Sequence, residues 1–382
     1  MYQHRTHTAK YEQCIPDNVT SHMPEDFKTI LIRELNLLFT LKKTERLWHI
    51  PVLASLCTGL PLLIGYYTGH IDFGVLSCLG GLVILYMPST NLENRMLTLM
   101  LCSFGFIISF AVGISFSFNP YLSAGILGLF AFGLNWVTSY FKMHPPGSFF
   151  FIMIASMASC MPFDLVSVPT KIGLIAAGTI LACVLAFFYS LYITKKLHKQ
   201  VLKPSIRKQD YANLTESAII GIFITLSLLV GHYFNFDNPY WIPVSCCAIM
   251  QGVSVTHVWQ RSIHRITGTL IGIGFTWILI QFNFSLLEIC IIILILQFII
   301  EMLVVRHYGL AAIFFTPLSI FLAELGRGVV VFNSNGLVQA RALDIVIGSL
   351  IGILGGMVLH NRYIQQKTIR QIRLTRVGLL RK

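Results

Sequence analysis

Four ionisable side chains stand inside or at the edge of long apolar runs: Asp344, Glu301, Arg265 and Arg341. A charge at the centre of a membrane helix costs roughly 2.5 to 3.5 kcal/mol on an insertion scale, so each such group calls for a partner, water or a functional reason. Arg341 precedes Asp344 by three residues, which puts both on one helix face, where they can form a structural ion pair or serve as a proton or substrate site. Glu301 follows Gln297 by four residues within 291–305, so two polar groups share one stripe that must face protein or water. It also lies near Arg306, so interfacial anchoring and proton transfer both suit it. Arg265, between His264 and Thr267-Gly268, opens a span where its guanidinium can capture a carboxylate or act as a positive anchor. Gln251, Asn135 beside Trp136, His144 before Pro145-Pro146 and Thr316 before Pro317 are further polar candidates, the last two because proline breaks a helix and frees carbonyls.

Other chemistries are absent from the pattern. There is no phosphate-cradling glycine-lysine loop, no HExxH, no GxSxG and no aspartate pairing of the kind that holds magnesium diphosphate. Cys57, Cys78, Cys102, Cys160, Cys183, Cys246, Cys247 and Cys290 lie in apolar runs without metal spacing and read as small fillers. No enzyme activity, cofactor or metal is expected. The stretch Gly268 to Gly274 follows no strand; Gly268 with Gly272, Gly348 with Gly352 and Gly352 with Gly356 instead form GxxxG faces for close helix packing, or expose backbone to a substrate path.

The elements that carry these residues are membrane spans. Of the 382 residues 55% are hydrophobic and only 12% charged, and the mean hydropathy is +0.72, which excludes an ordinary soluble domain. The formal charge of +12 sits in blocks outside the apolar runs, so it marks topology and not a nucleic-acid partner. The partner implied is the lipid bilayer. With about 20 apolar residues per crossing, spans are expected near 48–68, 72–88, 97–118, 120–141, 147–163 and 171–193, then 214–232, 239–255, 264–281, 285–304, 307–324 and 341–360. The fold class is therefore all-α, an integral membrane protein of about twelve transmembrane helices.

An offset of about 168 carries the first six starts onto the second six and Ser77-Cys78 onto Ser245-Cys246. Two tandem six-helix repeats of the same orientation follow, with a cavity expected between the two bundles. The expected organisation is a cytoplasmic arm over 1–46, whose residues from Pro24 to Phe39 suggest an amphipathic helix, a first repeat over 47–193, a basic linker over 194–213, a second repeat over 214–360 and a basic tail over 361–382. Lysine and arginine crowd the arm, linker and tail, which places both termini in the cytoplasm. No cleavable signal is expected, since the first 45 residues lack an apolar core followed by a cleavage site.

Asn238-Pro239-Tyr240-Trp241-Ile242-Pro243, the run from Arg261 to Gly272 with Arg265 before Thr267-Gly268, Arg306-His307-Tyr308-Gly309 through Thr316-Pro317, and Arg341 to Gly352 with Asp344 resemble, in order, the blocks of the fusaric acid resistance family of bacterial inner-membrane transporters, which includes aromatic acid exporters. The resemblance covers about residues 214–360, and more loosely the first repeat through its spacing and Pro145-Pro146-Gly147. It implies proton-coupled export of aromatic or other hydrophobic organic acids, with Arg265, Arg341, Thr316, Trp241, Gln251 and His144 as candidate substrate contacts and Asp344 or Glu301 exchanging the proton. A periplasmic adaptor protein and homo-oligomerisation are compatible with it. The linker of Thr194 to Asn213 is too short for the large cytoplasmic domain many relatives carry. A passive organic-anion channel, like plant malate channels of similar membrane fold, would need no titrating acid, and a non-transporting scaffold or envelope assembly protein would show a closed, dry interface between the halves.

Overall fold

A computed structural model describes residues 47–143, 145–194, 210–282, 284–327 and 334–361. The expected arm helix and most of the linker and tail lie outside the described residues, as does His144. Residues 1–40 lie outside them too, and everything below concerns Leu41–Lys382.

The helices are α1 His49–Thr68, α2 Ile71–Gly81 continued by a 3-10 turn over Leu82–Tyr86, α3 Leu92–Ser115, α4 Pro120–Tyr140, α5 Phe149–Ser159, α6 Val168–Thr194, α7 Asp210–Tyr233, α8 Trp241–Met250, α9 Val255–Ile280, α10 Leu286–Leu303, α11 Tyr308–Gly326 and α12 Ser334–Leu359. Among the described residues nine helices are long and apolar enough to cross a membrane, while α2 with its 3-10 turn, α5 and α8 are shorter apolar helices. The protein is an all-helical membrane protein.

Local chemistry fixes several starts. Asn119 accepts from the amides of Tyr121 and Leu122 at the head of α4, where Pro120 gives up no needed donor. Ser285 and Glu288 form a reciprocal capping box on α10. Ser254 caps α9 by accepting from His257 N at 3.2 Å, so this helix begins at Val255, well before the expected 264. The early start turns the polar stretch through Arg265 into two extra helical turns. In the same way α12 begins before Arg341, which leaves Arg341 two turns inside a helix and not at its edge.

The packing order has a mirrored form. Within 49–194, α1 packs on α2, α2 on α6, and α3 on both α5 and α6; within 210–359, α7 packs on α8, α8 on α12, and α9 on both α11 and α12. Across the middle, α4 packs on α7 and α10 on α1. These crossings are tight. A Cβ on Gly221 would lie 2.7 Å from the Gly128 carbonyl, Asn135 Nδ2 donates to Ser217 Oγ at 3.1 Å, and Ser55 Oγ donates to the Leu294 carbonyl at 2.7 Å. Close contact therefore joins the halves at these two crossings.

Candidate functional site

The GxxxG faces decide which side chains meet. A Cβ on Gly268 would stand 2.6 Å from the Gly309 carbonyl, and one on Gly272 2.5 Å from the Ile313 carbonyl, so α9 and α11 run parallel with their backbones almost touching. Gly348 likewise faces Ile242 and Ser245, and Gly352 faces Cys246, which lays α12 parallel to α8. With α9 also packed on α12, four helices enclose one locus.

Three arginines converge there. Arg265 donates through Nη1 to Tyr308 Oη at 2.9 Å and through Nη2 to Ser245 Oγ at 3.2 Å, linking α9 to α11 and α8 at once. Arg261, one turn earlier, stands with its guanidinium carbon 5.0 Å from the centre of the Tyr308 ring. From α12, the Arg341 guanidinium lies 3.6 Å from the centre of the Trp241 ring. Trp241 and Ser245 are four residues apart on α8, so the Arg341 and Arg265 head groups are stationed about one helical turn, roughly 6 Å, from each other along that helix.

Asp344 is fully buried and Arg341 is 6% exposed. They sit within electrostatic reach of one another, yet among the described residues no ion pair joins them, so the structural pair, one of the two readings of their spacing, is not formed. The guanidinium is turned onto Trp241 instead. Neither carboxylate oxygen of Asp344 has a hydrogen-bond partner among the described residues, nor do Nε and Nη1 of Arg341 or Nε of Arg261 and Arg265. A buried donor or acceptor left unpaired costs about 1 to 3 kcal/mol. The cluster thus presents unused guanidinium N–H groups, excess positive charge and one unpaired carboxylate, an arrangement ready to accept an anion and to bind or release a proton.

Residues outside the original candidates complete the locus. Tyr308 and Ser245 anchor Arg265, and the His264 and His307 rings lie 5.2 Å apart beside it. In the sequence both stood only inside the family-like blocks, with no role of their own: Arg261 reads as a positive anchor four residues before Arg265, and a tyrosine at the start of an apolar helix looks like an interfacial aromatic.

The remaining candidates sit elsewhere. Thr316 is buried, its hydroxyl donating to the Ala312 carbonyl at 3.1 Å while it packs against Gly272. Gln251 Nε2 donates to the Pro146 carbonyl at 3.1 Å, tying the end of α8 to the loop before α5. Glu301 is buried on α10, which is not among the four helices supplying the arginine cluster. Toward the end of α11, Arg327 bonds Glu324 at 3.4 Å, the Asp237 carbonyl at 3.3 Å and Asn238 Oδ1 at 2.8 Å, fastening that helix to the α7–α8 loop.

The corresponding first-half helices, α2, α3, α5 and α6, surround aromatic rings instead. Phe106 and Phe151 meet edge to face at 5.1 Å, Tyr86 abuts both, and the Tyr86 hydroxyl is consumed by the Gly147 carbonyl at 2.7 Å. Charge is concentrated in the second half.

That half is also where the comparison with known families falls. Residues 225–355 match the fusaric acid resistance protein-like family. Trp241, Ser245, Arg261, Arg265, Tyr308, Arg341 and Asp344 all lie inside this fusaric acid resistance protein-like segment. A membrane protein of Bacillus subtilis (strain 168), the uncharacterized YvaC, is 22% identical over 463 residues, spanning 83% of this chain and 73% of its own. No solved structure matches the chain.

Proposed function

We propose that the protein is an inner-membrane secondary transporter that exports aromatic or other hydrophobic organic acids in exchange for protons. The observation that carries this reading is the juxtaposition of three arginines holding unused N–H donors with a fully buried, unpaired Asp344. A carboxylate leaving water needs fixed positive charge, which Arg265 and Arg341 supply, and the Trp241 ring offers an apolar face for the body of the acid. Protonation of Asp344 removes a negative charge from the locus and strengthens its hold on an anion; deprotonation weakens it. That links the proton to the acid through charge; exchange further requires that the locus reorient with either the acid or the proton bound and not with both.

The mirrored packing of α1–α6 and α7–α12 supports two tandem six-helix units of like orientation, the first a structural half and the second the working half. The basic arm, linker and tail support cytoplasmic termini. A passive anion channel is a second reading, favoured by Arg261, Arg265 and Arg341 standing as successive cationic steps on neighbouring helices.

The test is current from the purified protein in proteoliposomes, with aromatic and aliphatic carboxylates offered with and without a pH gradient. Gradient-dependent, acid-dependent current supports exchange. Current indifferent to the gradient supports the channel, and none from folded protein with any acid removes the transport reading.

A further inference from the structure

A second polar cluster, unrelated to the arginine locus, lies where α1, α3 and α6 come together in the first half. Arg95 on α3 and Tyr189 on α6 are within electrostatic reach of each other, and the His49 ring at the head of α1 is 6.2 Å from the Tyr189 ring. Arg95 is held by one bond, Nε donating to the Pro88 carbonyl at 3.2 Å. Its Nη1, the Tyr189 hydroxyl, His49 Nδ1 and the Thr90 hydroxyl are all buried from solvent without a hydrogen-bond partner among the described residues. The Arg95 guanidinium and the Tyr189 hydroxyl thus bring unused N–H and O–H donors together, the chemistry that suits an anion.

The surroundings indicate where that anion comes from. Beyond Tyr189, the α6 side chains Tyr192, Phe188, Val184 and Ile180 are exposed at intervals of four residues, a single stripe running away from the cluster. Trp48, 64% exposed, packs on His49 at 4.8 Å as an interfacial ring. Lys42, Lys43 and Arg46 precede it in sequence and assign this end of the bundle to the cytoplasmic leaflet, where anionic lipid head groups are found.

We propose that Arg95, Tyr189 and His49 bind the phosphate of an anionic phospholipid, with an acyl chain lying along the Tyr192 to Ile180 stripe. Arg95 Nη1 and the Tyr189 hydroxyl donate to phosphate oxygens, and His49 Nδ1 donates when that nitrogen carries the proton. The lipid satisfies groups that the protein leaves unpaired and clamps α3, α6 and α1 together.

The experiment uses the full chain in detergent, assayed by native mass spectrometry and thermal melting with phosphatidylglycerol, phosphatidylcholine or inorganic phosphate. Phosphatidylglycerol is expected to remain bound at low stoichiometry and to raise the melting temperature, with phosphatidylcholine retained far less. Arg95→Gln and Tyr189→Phe are each expected to weaken retention by about tenfold, the loss of one hydrogen bond to a charged group. Should Arg95→Gln fail to fold, Tyr189→Phe, which removes one hydroxyl, decides alone. Equal retention of both lipids, or retention unchanged in the folded variants, overturns the proposal. Stabilisation by inorganic phosphate equal to that by phosphatidylglycerol reassigns the site to a soluble anion and overturns the lipid assignment.

Discussion

Asp344→Asn separates the coupling reaction from everything else the cluster does. One buried carboxylate that exchanges one proton per cycle converts each unit of pH gradient into about 1.4 kcal/mol, so a gradient of about two units sustains roughly hundredfold accumulation of a monoanionic acid. Asparagine keeps the shape of Asp344 and removes its charge. Because neither oxygen of Asp344 is hydrogen-bonded among the described residues, the substitution breaks no hydrogen bond and exchanges a buried, unpaired carboxylate for a buried neutral amide, which is less costly to desolvate. Arg341 keeps its contact with the Trp241 ring at 3.6 Å. The variant should therefore fold as the wild type does. In proteoliposomes loaded with labelled acid, wild type is expected to follow the imposed gradient, whereas Asp344→Asn is expected to exchange acid for acid while losing gradient-driven accumulation. Accumulation in Asp344→Asn within about twofold of wild type, against the roughly hundredfold driving force, would refute the assignment of the proton to this residue.

Arg265→Gln loses the bonds to Tyr308 and Ser245 together with a cation, and is expected to raise KM for a carboxylate by about tenfold or more; Arg265→Lys should recover only part, since an ammonium cannot span both partners. Gly272→Val forces a branched side chain against the Ile313 carbonyl and Thr316, costing about 1 to 3 kcal/mol or more; it is expected to lower the melting temperature and, by parting α9 from α11, to weaken the hold on substrate as well. Gly128→Ala drives a methyl group into Thr225 Oγ1 at the contact between the halves; Thr225→Ala in the same chain is expected to restore part of the lost melting temperature, a coupling that a double-mutant cycle measures.

Most of the helical architecture was legible from hydropathy alone, because long apolar runs have one physical solution in a bilayer and the tight loops left little room for other boundaries. The head of α9 was not. His257, Gln260, Arg261, His264 and Arg265 lower the local hydropathy enough to resemble a loop, and only the Ser254 cap reveals that the helix has already begun. At the site, Arg265, Arg341, Trp241 and Asp344 could each be singled out as costly or unusual, but their proximity could not, since it is set by where glycine lets α9 meet α11 and α12 meet α8. Thr316 was singled out because proline follows it; in the folded chain its hydroxyl turns back on its own helix while the same side chain packs opposite Gly272. The Arg341–Asp344 pair that the spacing allows illustrates the limit of helical spacing as a guide. Residues three apart share a face, but a nearby indole can win the guanidinium.

That same indole gives the protein a built-in optical reporter. A guanidinium seated on the face of Trp241 fixes the electric field felt by the ring, so any ligand that draws Arg341 away shifts the emission of this one fluorophore. With Trp48, Trp136, Trp259 and Trp277 replaced by phenylalanine, the remaining signal reads occupancy of the cationic centre in real time, without label or radioactivity, and in a lipid disc as readily as in detergent.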